Sequence, residues 1–123
     1  MRVLIIDDSR AMRSILRLAM KSLAPEIVEA ANGQEGLGRL ADKGPFDLIL
    51  VDWNMPVMNG LEFVTAVRAN PDYTAVRIVM VTTEVEMSQV SKALAAGAEE
   101  YVMKPFTTEI LHDKLSMLGF CVA

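Results

Sequence analysis

Apolar residues along this chain follow two periods that take turns. Short runs rich in β-branched residues occupy 3–6, 27–30, 48–51, 78–81 and 101–103. Between them, 9–23, 34–41, 61–69, 88–96 and 108–118 repeat apolar positions three or four residues apart, the spacing of one helical face. Met12, Ile15, Leu16 and Ala19 form one such stripe; Leu111, Leu115 and Leu118 form another. Turn residues punctuate the changes of period at Asn32-Gly33, Gly44-Pro45, Asn70-Pro71 and Gly97. Strands alternating with helices predict an α/β fold, a parallel sheet covered by helices on both faces. The runs at 48–51 and 78–81 are continuously apolar, as central strands require, whereas the run at 27–30 lies among Glu26 and Glu29 and predicts an edge.

Composition narrows the class. The chain has 123 residues, 52% hydrophobic and 23% charged, enough for one ordinary domain with a real core and too apolar for disorder. A net charge of -4 argues against nonspecific nucleic-acid binding. One cysteine, Cys121, cannot form an internal disulfide and reads as an inert thiol in a reducing compartment. The N-terminal MRVLIIDDS is apolar for too few residues to be a signal peptide or a membrane span, so a soluble, cytoplasmic monomer is expected.

The polar residues fall where this architecture places ligands. Asp7 and Asp8 follow the first apolar run, Asp52 the third, Thr82 and Thr83 the fourth, and Lys104 the fifth. All lie at the carboxyl ends of strands, the edge at which open α/β sheets bind. Three carboxylates gathered there repel one another, and a bound cation removes the difficulty. Hard oxygen ligands without nearby His or Cys favour Mg²⁺. A carboxylate with a metal, an ammonium and a hydroxyl around it describes a phosphoryl-transfer site, the carboxylate being the nucleophile.

Asp7-Asp8, Asp52, Thr82, Tyr101 and Lys104-Pro105, in this order and spacing, resemble the receiver domain of bacterial two-component response regulators, most of all the stand-alone chemotaxis, CheY-like type. The resemblance spans the chain, 1–123, and implies a doubly wound, flavodoxin-like (βα)5 domain; the strand order 2-1-3-4-5 is taken from it. It also implies the roles. Asp52 is the phosphoacceptor. Asp8 and Asp52 bind Mg²⁺ directly, Asp7 through water, and Asn54 through its backbone carbonyl. Lys104 pairs with the phosphoryl group, Thr82 swings in to bond it, and Tyr101 follows into the vacated space. Asn54, Thr83 and Glu84 tune the phosphate's lifetime, and Thr83 departs there from the usual Ala or Gly. The Lys104–Pro105 peptide is expected to be cis.

The resemblance further implies a phosphorylation-driven switch. It takes its phosphate from a histidine kinase or a histidine phosphotransfer protein, and its only chemistry is transfer to, and hydrolysis from, its own Asp52. The readout face would be the fourth helix, fifth strand and fifth helix, near Val90, Lys92, Tyr101, Glu109 and Lys114. With the chain ending about one turn past the last helix, output is expected through binding another protein, with the flagellar motor switch as the candidate target. A phosphate sink, a phosphorelay intermediate or a domain of a larger regulator are the alternatives. An aspartate-nucleophile phosphatase is disfavoured because Asn54 stands where its second Asp would be, and a flavin carrier because DDSRAMRS is acidic where a flavin phosphate would sit.

Other residues carry plainer expectations. Asp7 and Asp8 could serve only the helix N-terminus beside the cap Ser9. Arg10, Arg13, Arg17 and Lys21 fall on one helical face and predict a solvated charge stripe, or else a docking surface for an acidic phosphodonor. His112 reads as a surface residue, and the nine methionines, Met55, Met58, Met80 and Met103 among them, as gap-fillers.

Overall fold

The computed structural model describes residues 1–83 and 87–120. Five strands, β1 (Arg2–Ile6), β2 (Glu26–Ala30), β3 (Leu48–Val51), β4 (Arg77–Thr82) and β5 (Glu100–Met103), alternate with five helices. These are α1 (Arg10–Met20), α2 (Gly33–Lys43), α3 (Gly60–Ala69), α4 (Met87–Ala96) and α5 (Thr108–Met117), with a 3₁₀ turn at Pro71–Tyr73. All strands pair in parallel in the order β2-β1-β3-β4-β5, so β2 is an edge, as its acidic flanks predict. The expectations placed on Glu84 and Cys121 lie outside the described residues.

Alternation along the strands sorts the core into two layers. Leu4, Ile6, Ile49, Val51, Ile78 and Met80 face one side and meet Leu40 of α2, Phe63, Val64 and Val67 of α3 and Ala93 of α4. Val3, Ile5, Leu48, Leu50, Val79, Val81 and Val102 face the other and meet Leu16, Ala19 and Met20 of α1 with Leu111 and Leu115 of α5. Four of the strands begin one residue earlier than their apolar runs, at Arg2, Glu26, Arg77 and Glu100, because backbone pairing continues under a polar side chain; β3 begins with its run at Leu48.

Local signals set the helix starts. Ser9, Asn32 and Thr107 each accept a backbone N–H of the first turn, and Asn59 with Glu62 forms a reciprocal capping box. Helix α1 stops at Met20, short of the expected Leu23; Met20 still accepts the Leu23 and Ala24 N–H groups, and Pro25 bars Ala24 from a helical conformation.

Three expectations on the helices are corrected. Ile15 is 51% exposed, because the buried stripe of α1 runs Leu16, Ala19, Met20 and leaves Ile15 on its flank. The basic face of α1 is not simply solvated. Arg13 and Arg17 both bond the Glu29 carboxylate, at 3.0 and 2.7 Å, tying α1 to β2. His112 is no loose surface residue either; its Nε2 lies 2.8 Å from the Ala19 carbonyl and joins α5 to α1. Among the described residues no helix is long and apolar enough to cross a membrane.

Candidate functional site

The site forms where β1, β3, β4 and β5 end together. Ile6 pairs with Val51 and Thr82 with Met103, so the residues that follow or close these strands emerge side by side. Asp7 leaves β1 with its N–H on the Ala30 carbonyl, and Asp52 leaves β3 with its N–H on the Ile6 carbonyl. The Lys104 N–H bonds the Thr82 carbonyl at 2.9 Å, which carries the lysine past the end of β5 and toward the acids. Gly60, the first residue of α3, closes the far wall. A Cβ there would collide with the Asp52 carbonyl, so only glycine lets the helix sit against the Asp52–Trp53 backbone.

Three polar residues are buried here: Asp7 at 1%, Asp52 at 7% and Thr82 at 3% exposure. Asp7 is held on both carboxylate oxygens, by the Ser9 N–H and by Lys104 Nζ, each at 2.8 Å. The same ammonium lies 3.5 Å from Asp52 Oδ1 and is thus shared between two acids. One oxygen each of Asp7, Asp8 and Asp52 lie within 4.8 Å of one another. Burial pushes the Asp52 carboxyl above the usual carboxylate range; the Lys104 charge opposes this, the Asp7 charge reinforces it, and the net direction is upward. One ammonium does not balance three carboxylates.

That imbalance, with an all-oxygen donor set, fits a hard divalent cation. Asp7 and Asp52 are buried while Asp8 is exposed, so the cluster opens to water on one side, as suits a partly hydrated ion.

The remaining expected residues surround this centre at differing depths. Thr83 and Asn54 are exposed on the rim. Tyr101 is half-buried on β5 against the α2–α3–α4 core layer, and Lys104–Pro105 is a cis peptide. On the expected readout face, Lys114 Nζ sits 5.0 Å from the Tyr101 ring centroid and 3.5 Å from Glu100. Lys92 and Glu109 are exposed there, but Val90 is 7% exposed and packs inward. Sequence reasoning missed Arg13, whose Nη1 bonds the Asp7 carbonyl at 2.5 Å, and its partner Glu29.

Fold and site together define a phosphoreceiver. The model of the response regulator receiver domain matches residues 3–116, and the chain belongs to that family. It is 41% identical over 116 residues to a chemotaxis protein CheY homolog of Campylobacter jejuni, covering 94% of this chain and 89% of that protein. It is 39% identical over 119 residues to the chemotaxis protein CheY1 of Helicobacter pylori, covering 96% of each. The structure of the chemotaxis protein CheY4 of Vibrio cholerae superimposes with a TM-score of 0.86 at 38% identity, covering 94% of this chain and 96% of that one. The protein is a phosphorylation-activated signalling switch, not a classical enzyme.

Proposed function

We propose that this protein is a chemotaxis response regulator whose residues 1–123 form a receiver domain, with Asp52 as its phosphoacceptor. The observation that carries the proposal is the meeting of Asp52, Asp7, Asp8 and Lys104 at one sheet edge, with more negative than positive charge. An Asp52 carboxylate oxygen attacks the phosphorus of a phosphohistidine on a histidine kinase or phosphotransfer protein. The P–O bond forms, the P–N bond breaks, and the imidazole leaves with the electron pair. Asp7, Asp8, Asp52 and the Asn54 carbonyl would hold Mg²⁺, which when bound neutralises charge around the transferring group. Lys104 is already within reach of Asp52 and supplies fixed positive charge to the phosphoryl oxygens.

Thr82 then bonds a phosphoryl oxygen, Tyr101 moves inward, and the face of α4, β5 and α5 changes its affinity for a target, for which the flagellar motor switch is our candidate. Such a shift needs the phosphoryl group to bind one arrangement better than the other, and Thr82 and Lys104 supply that difference. Asn54, Thr83 and Glu84 set how long the phosphate survives. The setting is the cytoplasm.

Trp53 is the only tryptophan and adjoins Asp52, so it reports on the test. With Mg²⁺ and a small acyl-phosphate donor, intact mass should rise by about 80 Da, one phosphoryl group. Trp53 fluorescence should change in parallel. Both signals should vanish in Asp52→Asn; an adduct that persists there would move the acceptor elsewhere.

A further inference from the structure

Arg13 and Arg17 lie one helical turn apart on α1 and share one partner, yet they do different things. Arg13 Nε bonds Glu29 Oε1 at 3.0 Å and Arg17 Nε bonds Glu29 Oε2 at 2.7 Å. Their second bonds diverge. Arg17 reaches the Ile27 carbonyl, at 3.4 Å on β2, away from the acids. Arg13 reaches the Asp7 carbonyl at 2.5 Å, and its side chain is only 16% exposed.

The Asp7 carbonyl belongs to the peptide unit that joins Asp7 to Asp8, and a peptide unit is planar. Fixing its oxygen fixes the Asp8 N–H and the direction in which the chain continues to the Asp8 Cα. The other side of Asp7 is fixed as well, by its N–H on the Ala30 carbonyl. Asp7's carboxylate has direct fasteners in Ser9 and Lys104. Asp8's is exposed, so its placement follows from the backbone. We propose that Arg13, braced by Glu29, is a positioning residue for the metal centre: it clamps the Asp7–Asp8 peptide and so sets the spacing of the two carboxylates. The inference rests on the reading that this acidic cluster holds Mg²⁺.

Glu29 is suited to the brace. Burial works against its charge, but hydrogen bonds and charge from Arg17 and Arg13 outweigh burial and hold its carboxyl below the usual range. A guanidinium offers the fork that bonds a carboxylate and a carbonyl at once, which an ammonium on a flexible stem does not. Partners that orient metal ligands without touching the metal commonly change affinity by about 10- to 100-fold when removed.

The test is a MgCl₂ titration followed by Trp53 fluorescence on wild type, Arg13→Gln, Arg17→Gln and Glu29→Gln, with thermal unfolding in EDTA run alongside. Arg13→Gln should weaken Mg²⁺ binding about 10-fold. Arg17→Gln shares the Glu29 contact but not the Asp7 contact, and should leave affinity within about two-fold while lowering stability about as much as Arg13→Gln does. Equal Mg²⁺ affinity in Arg13→Gln and wild type overturns the proposal. So does an equal loss in Arg17→Gln, which would trace the effect to the docking of α1 on β2. Should Arg13→Gln not fold, Glu29→Gln decides together with Arg17→Gln: weaker binding in Glu29→Gln with Arg17→Gln unchanged supports the brace, and unchanged affinity in Glu29→Gln, or an equal loss in both, overturns it. A wild type that shows no Mg²⁺ response would overturn the metal reading itself, before Arg13 is touched.

Discussion

Two clusters of partly buried charge on this molecule are built in opposite ways. At the far end of α3, Arg68 donates to the carbonyls of Gly97, Tyr73 and Val76 at 3.0, 3.0 and 2.7 Å. It also bonds one Glu99 oxygen at 2.5 Å, and the other Glu99 oxygen accepts the Ile78 N–H at 2.6 Å. One cation meets one anion, and carbonyl oxygens take up the rest of the guanidinium's donors. At the opposite sheet edge, Lys104 is shared between Asp7 and Asp52 with Asp8 nearby, and negative charge is left over. Buried charge alone therefore does not mark a functional site. A balanced cluster is a fastening, and a deficit waits for a ligand.

If that distinction is right, the two clusters should respond differently to loss of their cation. Arg68→Met leaves Glu99 unpaired and three carbonyls without their donor, so stability should fall by about 3–5 kcal/mol in urea unfolding. Mg²⁺ should not restore it. Gly97→Ala attacks the same fastening from its other side. Gly97 has φ +122 and a Cβ would collide with Arg68 Cγ, so a loss of about 2 kcal/mol is expected, again independent of Mg²⁺. Lys104→Met should cost less, about 1–2 kcal/mol in EDTA, because Asp52, whose carboxyl burial already pushes upward, can take up a proton instead. Its deficit against wild type should shrink as MgCl₂ is added, since a bound cation supplies the missing charge. If Mg²⁺ rescues Arg68→Met equally, or Lys104→Met not at all, the two clusters do not differ as argued.

The same contrast explains what could be read from the chain beforehand. Buried parallel strands are continuous apolar runs, so β3 and the core of β4 declared themselves, and the residues just past each run had to share one sheet edge. Asp7, Asp8, Asp52, Thr82 and Lys104 were legible for that reason. The fastenings were not. Arg68 meets Glu99 across 31 residues and Arg13 meets Glu29 across 16, with no periodicity linking either pair. Which helix lies against which strand decides these contacts. Arg13 looked like part of a solvated stripe because the helical wheel places it beside Arg17, but says nothing of Glu29 on the neighbouring strand. Ile15 misled in the converse way, since an apolar residue at the flank of a stripe fits the period and still faces water.

The smallest effect tests the deficit most directly, through the sign of a pH dependence. Burial raises the Asp52 carboxyl above its unfolded value. Below the ordinary aspartate value, about 3.9, both folded and unfolded states hold the proton and the site costs nothing. As pH rises past that value the unfolded state releases its proton first, so the folded state loses stability, fully so once pH exceeds the raised folded value. Asp52→Asn should therefore stabilise the protein in EDTA at neutral pH, raising the Tm by a few degrees. The gain should fade as pH falls toward about 4. Added Mg²⁺ should narrow the gap at neutral pH by stabilising the wild type, whose carboxylate the asparagine lacks. A substitution that destabilises at neutral pH in EDTA would mean that Lys104 already balances Asp52, and that the charge deficit on which the contrast rests does not exist.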